Sequence, residues 1–286
     1  MNVVCGIYGY QITCPIDLPG LRIEPRTSDH QQAKRWARDL DSYQLTAILK
    51  GTSISGDLLF NLEAVLSFVE HLDVLISSPE EQTSEDSFAQ FSPSITTHRR
   101  SNGGGAVIGE DAVFRSSRSI FISKALDRLQ DQRFCDATQF NILFFKCVET
   151  FRQRKPFVEV SYFLLYSGLE SYARSVIKDR SSKNSSIPIY KLLTRAEYGF
   201  DVHQELNSSG EKRRAVATYT CLRNALFHNS ELTAIAKDEN GAEIKLEMND
   251  YLFNIWQLVS LVILKAVEFD DGHINWNSWI DRQPFK

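Results

Sequence analysis

The spacing of apolar residues changes partway along this chain, and that change limits the fold more than any single motif does. Up to about Ser77 they fall in short extended runs rich in Val, Ile and Tyr, whereas from about Ser119 they recur every three or four residues. A period of two suits a strand and a period near 3.6 suits a helix. The expected fold class is therefore α+β: a small N-terminal α+β domain over 1–77, a polar and Gly-rich linker over 78–118, and a C-terminal antiparallel helical bundle over 119–286 with a β-hairpin insertion.

Within the first part, Asn2 to Thr13, Leu21 to Glu24 and Tyr43 to Leu49 read as strands, punctuated by Pro15, Pro19, Gly20 and Pro25. Ser28 to Leu40 reads as a short helix and Asp57 to His71 as a clearer one, striped by Leu59, Leu62, Leu66 and Val69, with Leu72 to Ile76 a strand after it. Ser, Glu, Gln and Thr then dominate Ser77 to Ser87, and Ser101-Asn102-Gly103-Gly104-Gly105 follows. Such a composition buries too little apolar surface to offset chain entropy, so a partly flexible linker is expected there. The glycines are a hinge and not a phosphate cradle, because no Gly-Lys-Ser/Thr follows them.

Ile122, Ala125, Leu126 and Leu129 stripe a first bundle helix; Phe140, Leu143, Phe144, Cys147, Val148 and Phe151 stripe a second. A third, from Phe157 to Ile177 with Pro156 near its start, carries Val160, Phe163, Leu164, Ser167, Ser171 and Val176, which are expected to be buried. Ser181 to Pro188 is a polar loop and Ile189 to Leu206 is helical in part. Leu232 to Lys237 and Ala242 to Met248 alternate in polarity about Asp238-Glu239-Asn240-Gly241, a hairpin signature. Asn249 is the expected cap of a last helix reaching Val267, and Trp276 to Trp279 packs back on the bundle.

Glu211 to Asn229, EKRRAVATYTCLRNALFHN, stands between loop and hairpin as an amphipathic helix with Val216, Tyr219, Leu222 and Leu226 on one face. Asn224 and His228, four residues apart, share a stripe, and Arg223 lies about 140° round from His228 at roughly 100° per residue. A cation, an amide and an imidazole are thus expected to face one cleft, with Lys212-Arg213-Arg214 as a basic approach on the same helix.

Arg223-Asn224-x-x-x-His228 resembles the Arg-polar-x-x-x-His motif of the HEPN superfamily, helical proteins that include many metal-independent ribonucleases. The resemblance covers roughly the second half of the chain. Leu165-Tyr166-Ser167-Gly168-Leu169-Glu170 resembles the family's early helix, where an acidic residue often accompanies the motif; Glu170 would orient Arg223 or serve as a surface or capping carboxylate. The layout, a variable N-terminal domain before a C-terminal bundle, is similar to that of ApeA-like anti-phage proteins.

The resemblance implies an endoribonuclease needing no cofactor, set in bacterial anti-phage defence or a toxin–antitoxin pair. His228 would move the proton, Arg223 would stabilise the phosphorane, Asn224 would hold geometry, and Lys212, Arg213 and Arg214 would bind RNA. It also implies a homodimer, expected through the motif helix because Tyr219, Leu222, Leu226 and Phe227 offer surplus apolar surface, and allows for an antitoxin or regulatory partner. Two other readings stay open: a catalytically silent HEPN module that binds a partner protein or a nucleotide, and a plain helical interaction domain.

A net charge of −4 on 286 residues argues against a globally basic nucleic-acid binder, so RNA contact has to come from a local patch. The five cysteines are odd in number, widely spaced and without a C-x-x-C pair, which suits free thiols in a reducing cytoplasm. The longest apolar run, Trp256 to Val267, is too short to span a bilayer, and the N-terminus lacks a leader pattern, so no membrane partner is expected. No metal is expected either. Asp238, Glu243 and Lys245 fit a metal-nuclease pattern poorly because the aspartate belongs to the hairpin turn, and His30, His71, His98, His203 and His273 have no metal-ligand spacing.

Overall fold

The computed structural model describes residues 2–98, 105–109, 116–153, 157–207 and 212–281. It has two compact units, one of residues 1–130 with 151–155 and one of residues 131–150 with 156–286. Strands and helices are both present, as the α+β class requires.

The first unit is built on an antiparallel sheet. Its elements are β1 (Val3–Tyr8), β2 (Ile16–Leu18), β3 (Leu21–Pro25), α1 (His30–Ala37), β4 (Tyr43–Gly51), α2 (Gly56–Glu70), β5 (Leu75–Ile76), β6 (Glu80–Glu81), β7 (Ser94–Ile95) and α3 (Ser117–Gln130). The strand order is β2-β3-β4-β1-β5, with β6 also on β1 and β7 also on β4. β1 and β4 are central, in register from Val3 opposite Gly51 to Tyr8 opposite Leu45, with a bulge between Ile7 and Tyr8. Being covered on both faces, they are nearly continuous runs of buried residues, whereas β2 alternates buried and exposed. α1 starts at Asp29, whose side chain accepts the Gln32 N–H, and α2 at Ser55, whose hydroxyl accepts that of Leu58.

The stretch read as a partly flexible linker, 78–118, carries short structured pieces among its described residues. β6 and β7 pair with the sheet, and Phe91 packs into a core of Val4, Tyr8, Tyr43, Leu45 and Ile48. Further on, the Val107 N–H donates to the Val69 carbonyl and Ile108 is buried. Single apolar residues and backbone groups added to an existing sheet leave no trace in average composition. Ser101 to Gly104 of the expected hinge lie outside the described residues.

α3 also belongs with this unit and not with the bundle. Phe121 stacks on Phe68 of α2 at 5.4 Å between ring centroids, and Arg118, 1% exposed, pairs with the fully buried Glu70 at 2.7 Å. The same guanidinium donates to the carbonyls of Gln11, Ile108 and Gly109, and lies over the Tyr10 ring. A charge removed from water needs such a full set of partners. The end of the helix Phe140–Arg152 adds Arg152, which pairs with Asp73 and Glu63.

The second unit contains α4 (Gln132–Thr138), α5 (Phe140–Arg152) up to Thr150, α6 (Val158–Ile177), α7 (Ser186–Leu193), α8 (Val216–Asn229), β8 (Thr233–Lys237), β9 (Glu243–Glu247), α9 (Met248–Ala266) and α10 (Ser278–Asp281). α6 is its centre, in contact with α4, α7, α8 and α9. The face it buries differs from the expected one: Tyr162, Leu165, Tyr166, Leu169 and Tyr172 point inward, while Val160 and Phe163 are exposed and Leu164, Ser167, Ser171 and Val176 only partly covered. Tyrosine supplies a large apolar body for the core, and its hydroxyl finds polar partners there, as Tyr162 does at the Tyr219 carbonyl.

The hairpin is in the expected place, with Thr233 opposite Glu247 and Lys237 opposite Glu243. Asp238 shapes its turn by accepting the N–H groups of Asn240 and Ala242, and Gly241 adopts φ 79°. The last helix starts earlier than expected. Glu247 and not Asn249 occupies the N-cap position, without a side-chain cap bond, because the chain passes from strand into helix with no intervening loop. Trp279 is fully buried beside α9, where Asn254 donates to its carbonyl, and Lys265 lies 3.8 Å over the Trp276 ring. Pro156 lies outside the described residues. Among the described residues no helix is long and apolar enough to cross a membrane.

Candidate functional site

The site grows from one stripe of α6. Tyr162, Tyr166 and Glu170 follow at steps of four, so they stack along the same side of the helix. The Tyr166 hydroxyl is within 2.7 Å of Ser185 Oγ and 2.8 Å of Thr220 Oγ1, linking α6 to the start of α7 and to α8. Burial pushes this phenol up to about 12, so it stays protonated and acts as a hydrogen-bonding strut.

Arg223 of α8 sits over that strut. Its guanidinium carbon is 5.7 Å from the Tyr166 ring centroid and 5.4 Å from that of Phe227. One terminal nitrogen donates to Asn224 Oδ1 at 2.9 Å and the other lies 3.6 Å from Glu170 Oε2. Two aromatic faces, an amide and a carboxylate thus fix the fork while leaving its side chain 27% exposed. Glu170 also binds Arg174 Nε at 2.9 Å, and Arg174 in turn donates to the carbonyls of Asp179 and Ser182. The loop after α6 is tightened further by Asp179, which accepts from the Ser182 hydroxyl and N–H; these bonds hold its carboxyl well below the usual range.

Beside Arg223 lies a cavity of about 430 Å³, lined by the Lys183–Ser186 segment of that loop and by Glu205, Ala217, Thr220, Cys221, Arg223 and Asn224. Ala217, Thr220, Cys221 and Asn224 are spaced by three and four, so α8 presents one stripe to it. The Cys221 thiol is pushed up, by burial first and then by the nearby Glu205 charge, so it is protonated at neutral pH. Among the described residues no three His, Cys, Asp or Glu side chains gather into a metal-binding group.

The expected site residues are thus only partly brought together. Arg223, Asn224 and Glu170 converge. His228 does not join them at the cavity: it is exposed in the last turn of α8, edge-on to Phe227 at 5.7 Å. The cavity follows the stripe through Ala217, Cys221 and Asn224 and ends before the helix carries His228 round. The basic triplet is displaced too. Lys212–Arg214 form a separate 3₁₀ turn ahead of α8, which begins only at Val216, and they do not line the cavity. Arg214 pairs with Asp201 at 2.7 Å, and the carbonyls of Lys212 and Arg213 accept the hydroxyls of Thr218 and Tyr219.

The apolar surface invoked for dimerisation through the motif helix is also mostly internal. Tyr219 and Leu222 are buried within the unit, and Leu226 is half-buried. Phe227 alone of the four is widely exposed, at 61%, stacked on Phe163 at 6.1 Å.

Sequence reasoning missed Lys183, Asn184, Thr220 and Cys221, which lie on the cavity wall, and the strut role of Tyr166. A signal existed for the last: Tyr166 stands four residues before Glu170, on the same helix side. Lys183 had none, because a loop residue reaches a site through the tertiary path of its loop. Comparison with protein-family models, with curated proteins and with solved structures returns no match for this chain.

Proposed function

We propose that this protein is a metal-independent endoribonuclease of the HEPN type, acting as a homodimer in the cytoplasm in a bacterial anti-phage or toxin–antitoxin setting. The observation that carries the reading is the fixed guanidinium of Arg223, clamped by Glu170, Asn224, Tyr166 and Phe227 at the edge of an open cavity on the helix that also exposes His228.

RNA carries its own nucleophile in the 2′-hydroxyl, so cleavage needs a proton acceptor and a cation more than it needs a metal. The 2′-oxygen attacks the adjacent phosphorus as its proton passes to His228; the P–O5′ bond breaks, and the leaving oxygen takes a proton from the second His228 of the dimer. The products are a 2′,3′-cyclic phosphate and a 5′-hydroxyl. Arg223 stabilises the extra charge on the phosphorane through its planar fork, which an ammonium cannot reproduce.

A second reading, a silent module that binds a nucleotide or a partner protein, is favoured by the position of His228 outside the cavity that Arg223 and Asn224 line. One experiment separates the two: total cellular RNA is incubated with the purified chain in excess chelator, beside an Arg223→Ala, His228→Ala double variant. The ribonuclease reading expects cyclic-phosphate ends from the parent and a loss of about 10²–10⁴-fold in rate for His228→Ala alone. Cleavage that needs an added divalent metal, or that survives in His228→Ala, overturns it.

A further inference from the structure

We infer that the cavity beside Arg223 is a nucleotide subsite, taking a phosphate between Lys183 and Arg223 and a guanine base against Glu205. The inference names the substrate class of the proposed ribonuclease site and rests on that reading for its catalytic meaning, although binding itself stands apart from cleavage.

Size comes first. About 430 Å³ lies within the range of roughly 300–1,000 Å³ usual for small-ligand pockets. The stripe from Ala217 to Asn224 extends the cavity about 10 Å along α8 at 1.5 Å per residue, which suits an elongated ligand with distinct ends.

Charge sets the ligand's polarity. Arg223 and Asn224 mark the C-terminal end of the stripe, and the clamp by Glu170 and Asn224 leaves part of the guanidinium exposed. Lys183 adds a second cation, exposed and with no carboxylate in ion-pair range among the described residues. Two cations lining one cavity, one from the loop and one from α8, recognise a phosphate: Arg offers planar donors and Lys a mobile point charge. Glu205 follows Gln204, whose carbonyl accepts the Ala217 N–H at 3.0 Å, so it lines the cavity at the N-terminal end of the stripe, and its charge also acts on the Cys221 thiol. A cavity with cations at one end and a carboxylate at the other suits a molecule that is anionic at one end and a hydrogen-bond donor at the other.

That description selects a nucleotide, and among nucleotides one base. An ionised carboxylate is an acceptor only, with two oxygens side by side. Of the four RNA bases, guanine alone presents two adjacent N–H donors on one edge, N1–H and the N2 amino group. Adenine and cytosine each set an amino group beside an acceptor nitrogen, and uracil flanks its one N–H with two carbonyls. For an RNA substrate this places a guanosine next to the scissile phosphate held by Arg223.

Cys221 provides the readout, since it lies on the cavity wall while Cys14 is exposed in the other unit. The full chain is alkylated at mildly alkaline pH with each of the four nucleoside 5′-monophosphates or with inorganic phosphate. Modification of Cys221 and Cys14 is followed by mass spectrometry, and a guanosine-containing oligonucleotide with 2′-deoxy sugars forms a parallel arm. Guanosine monophosphate is expected to slow Cys221 alkylation at the lowest concentration and to leave Cys14 unchanged. Lys183→Gln should raise the concentration for half-protection about 10-fold or more for every nucleotide, the effect of losing a charge-assisted bond. Glu205→Gln should level the four bases. Stronger protection by the oligonucleotide than by the monophosphate assigns the subsite to the RNA strand; the reverse assigns it to a free nucleotide.

The inference is overturned if no nucleotide protects Cys221, if inorganic phosphate protects as well as guanosine monophosphate, or if Glu205→Gln keeps the guanine preference. Its fate is separable from that of the ribonuclease reading: protection without chelator-resistant cleavage retains the subsite and removes the enzyme, and cleavage without protection does the opposite.

Discussion

Glu70 and Arg118 offer the sharpest test of how the first unit is held together, because both are cut off from water, at 0% and 1% exposure. Replacing Glu70 by Leu removes the carboxylate from a guanidinium that also donates to the carbonyls of Gln11, Ile108 and Gly109 and lies over the Tyr10 ring. Replacing Arg118 by Met leaves the carboxylate with the Gln11 N–H and with Arg38 at 3.4 Å, and also leaves those three carbonyls without their donor. Breaking a buried pair by removing one partner costs about 3–5 kcal/mol, so each single variant should unfold at roughly 10–20 °C lower temperature for a unit of this size. The double variant removes both charges and should cost less than the sum of the singles by at least ~2 kcal/mol. Denaturation followed by circular dichroism, with a double-mutant cycle, measures all three. Single variants that each lose under ~1 kcal/mol would match an exposed pair and would refute the burial of Arg118 against Glu70.

His71 gives a pH prediction: burial pushes its imidazole down to about 3, against 6.5 in the unfolded chain, so between those values the unfolded state binds more protons. Stability from this group is therefore full above pH 6.5 and falls by about 1.4 kcal/mol per unit as pH drops toward 3. His71→Asn, which tolerates the left-handed φ of 53° at this helix end, should flatten the fall in urea midpoint from pH 7 to pH 5; an unchanged slope contradicts it. Tyr166→Phe strands the Ser185 hydroxyl and should cost about 1–3 kcal/mol, the range for a lost buried hydrogen-bond partner, while Thr220 keeps its bond to the Val216 carbonyl. Hydrogen exchange should speed up at 183–186 in this variant, and unaltered exchange there would remove Tyr166 as the strut of the cavity wall.

Where a segment's structure rests on its own residues, the sequence was sufficient. α5 buries the expected Phe140, Leu143, Phe144, Cys147, Val148 and Phe151; α6 spans Val158 to Ile177; and the hairpin turns at Asp238 to Gly241. Periodicity, caps and turn residues act over a few positions, so a linear reading captures them. Of the two readings left open for Glu170, orienting Arg223 or serving as a surface or capping carboxylate, the contact for the first is 3.6 Å, beside a closer one to Arg174 at 2.9 Å.

Other features depended on where distant segments meet. The 78–98 stretch joins the sheet because β1 and β4 offer it unpaired edges and an apolar face, which its own polar composition does not reveal. Arg118 reads as a surface residue until Glu70, 48 positions earlier, is found beneath it. At the site, the spacing of Arg223, Asn224 and His228 fixed their angles around α8 but not which angle faces a cavity. The loop after α6 decided that: pinned by Arg174 and by the Tyr166–Ser185 bond, it closes over Ala217 to Asn224 and leaves His228 in solvent. A helix determines directions by its own geometry, whereas a pocket exists only where a second segment, placed by long-range packing, supplies the opposite wall.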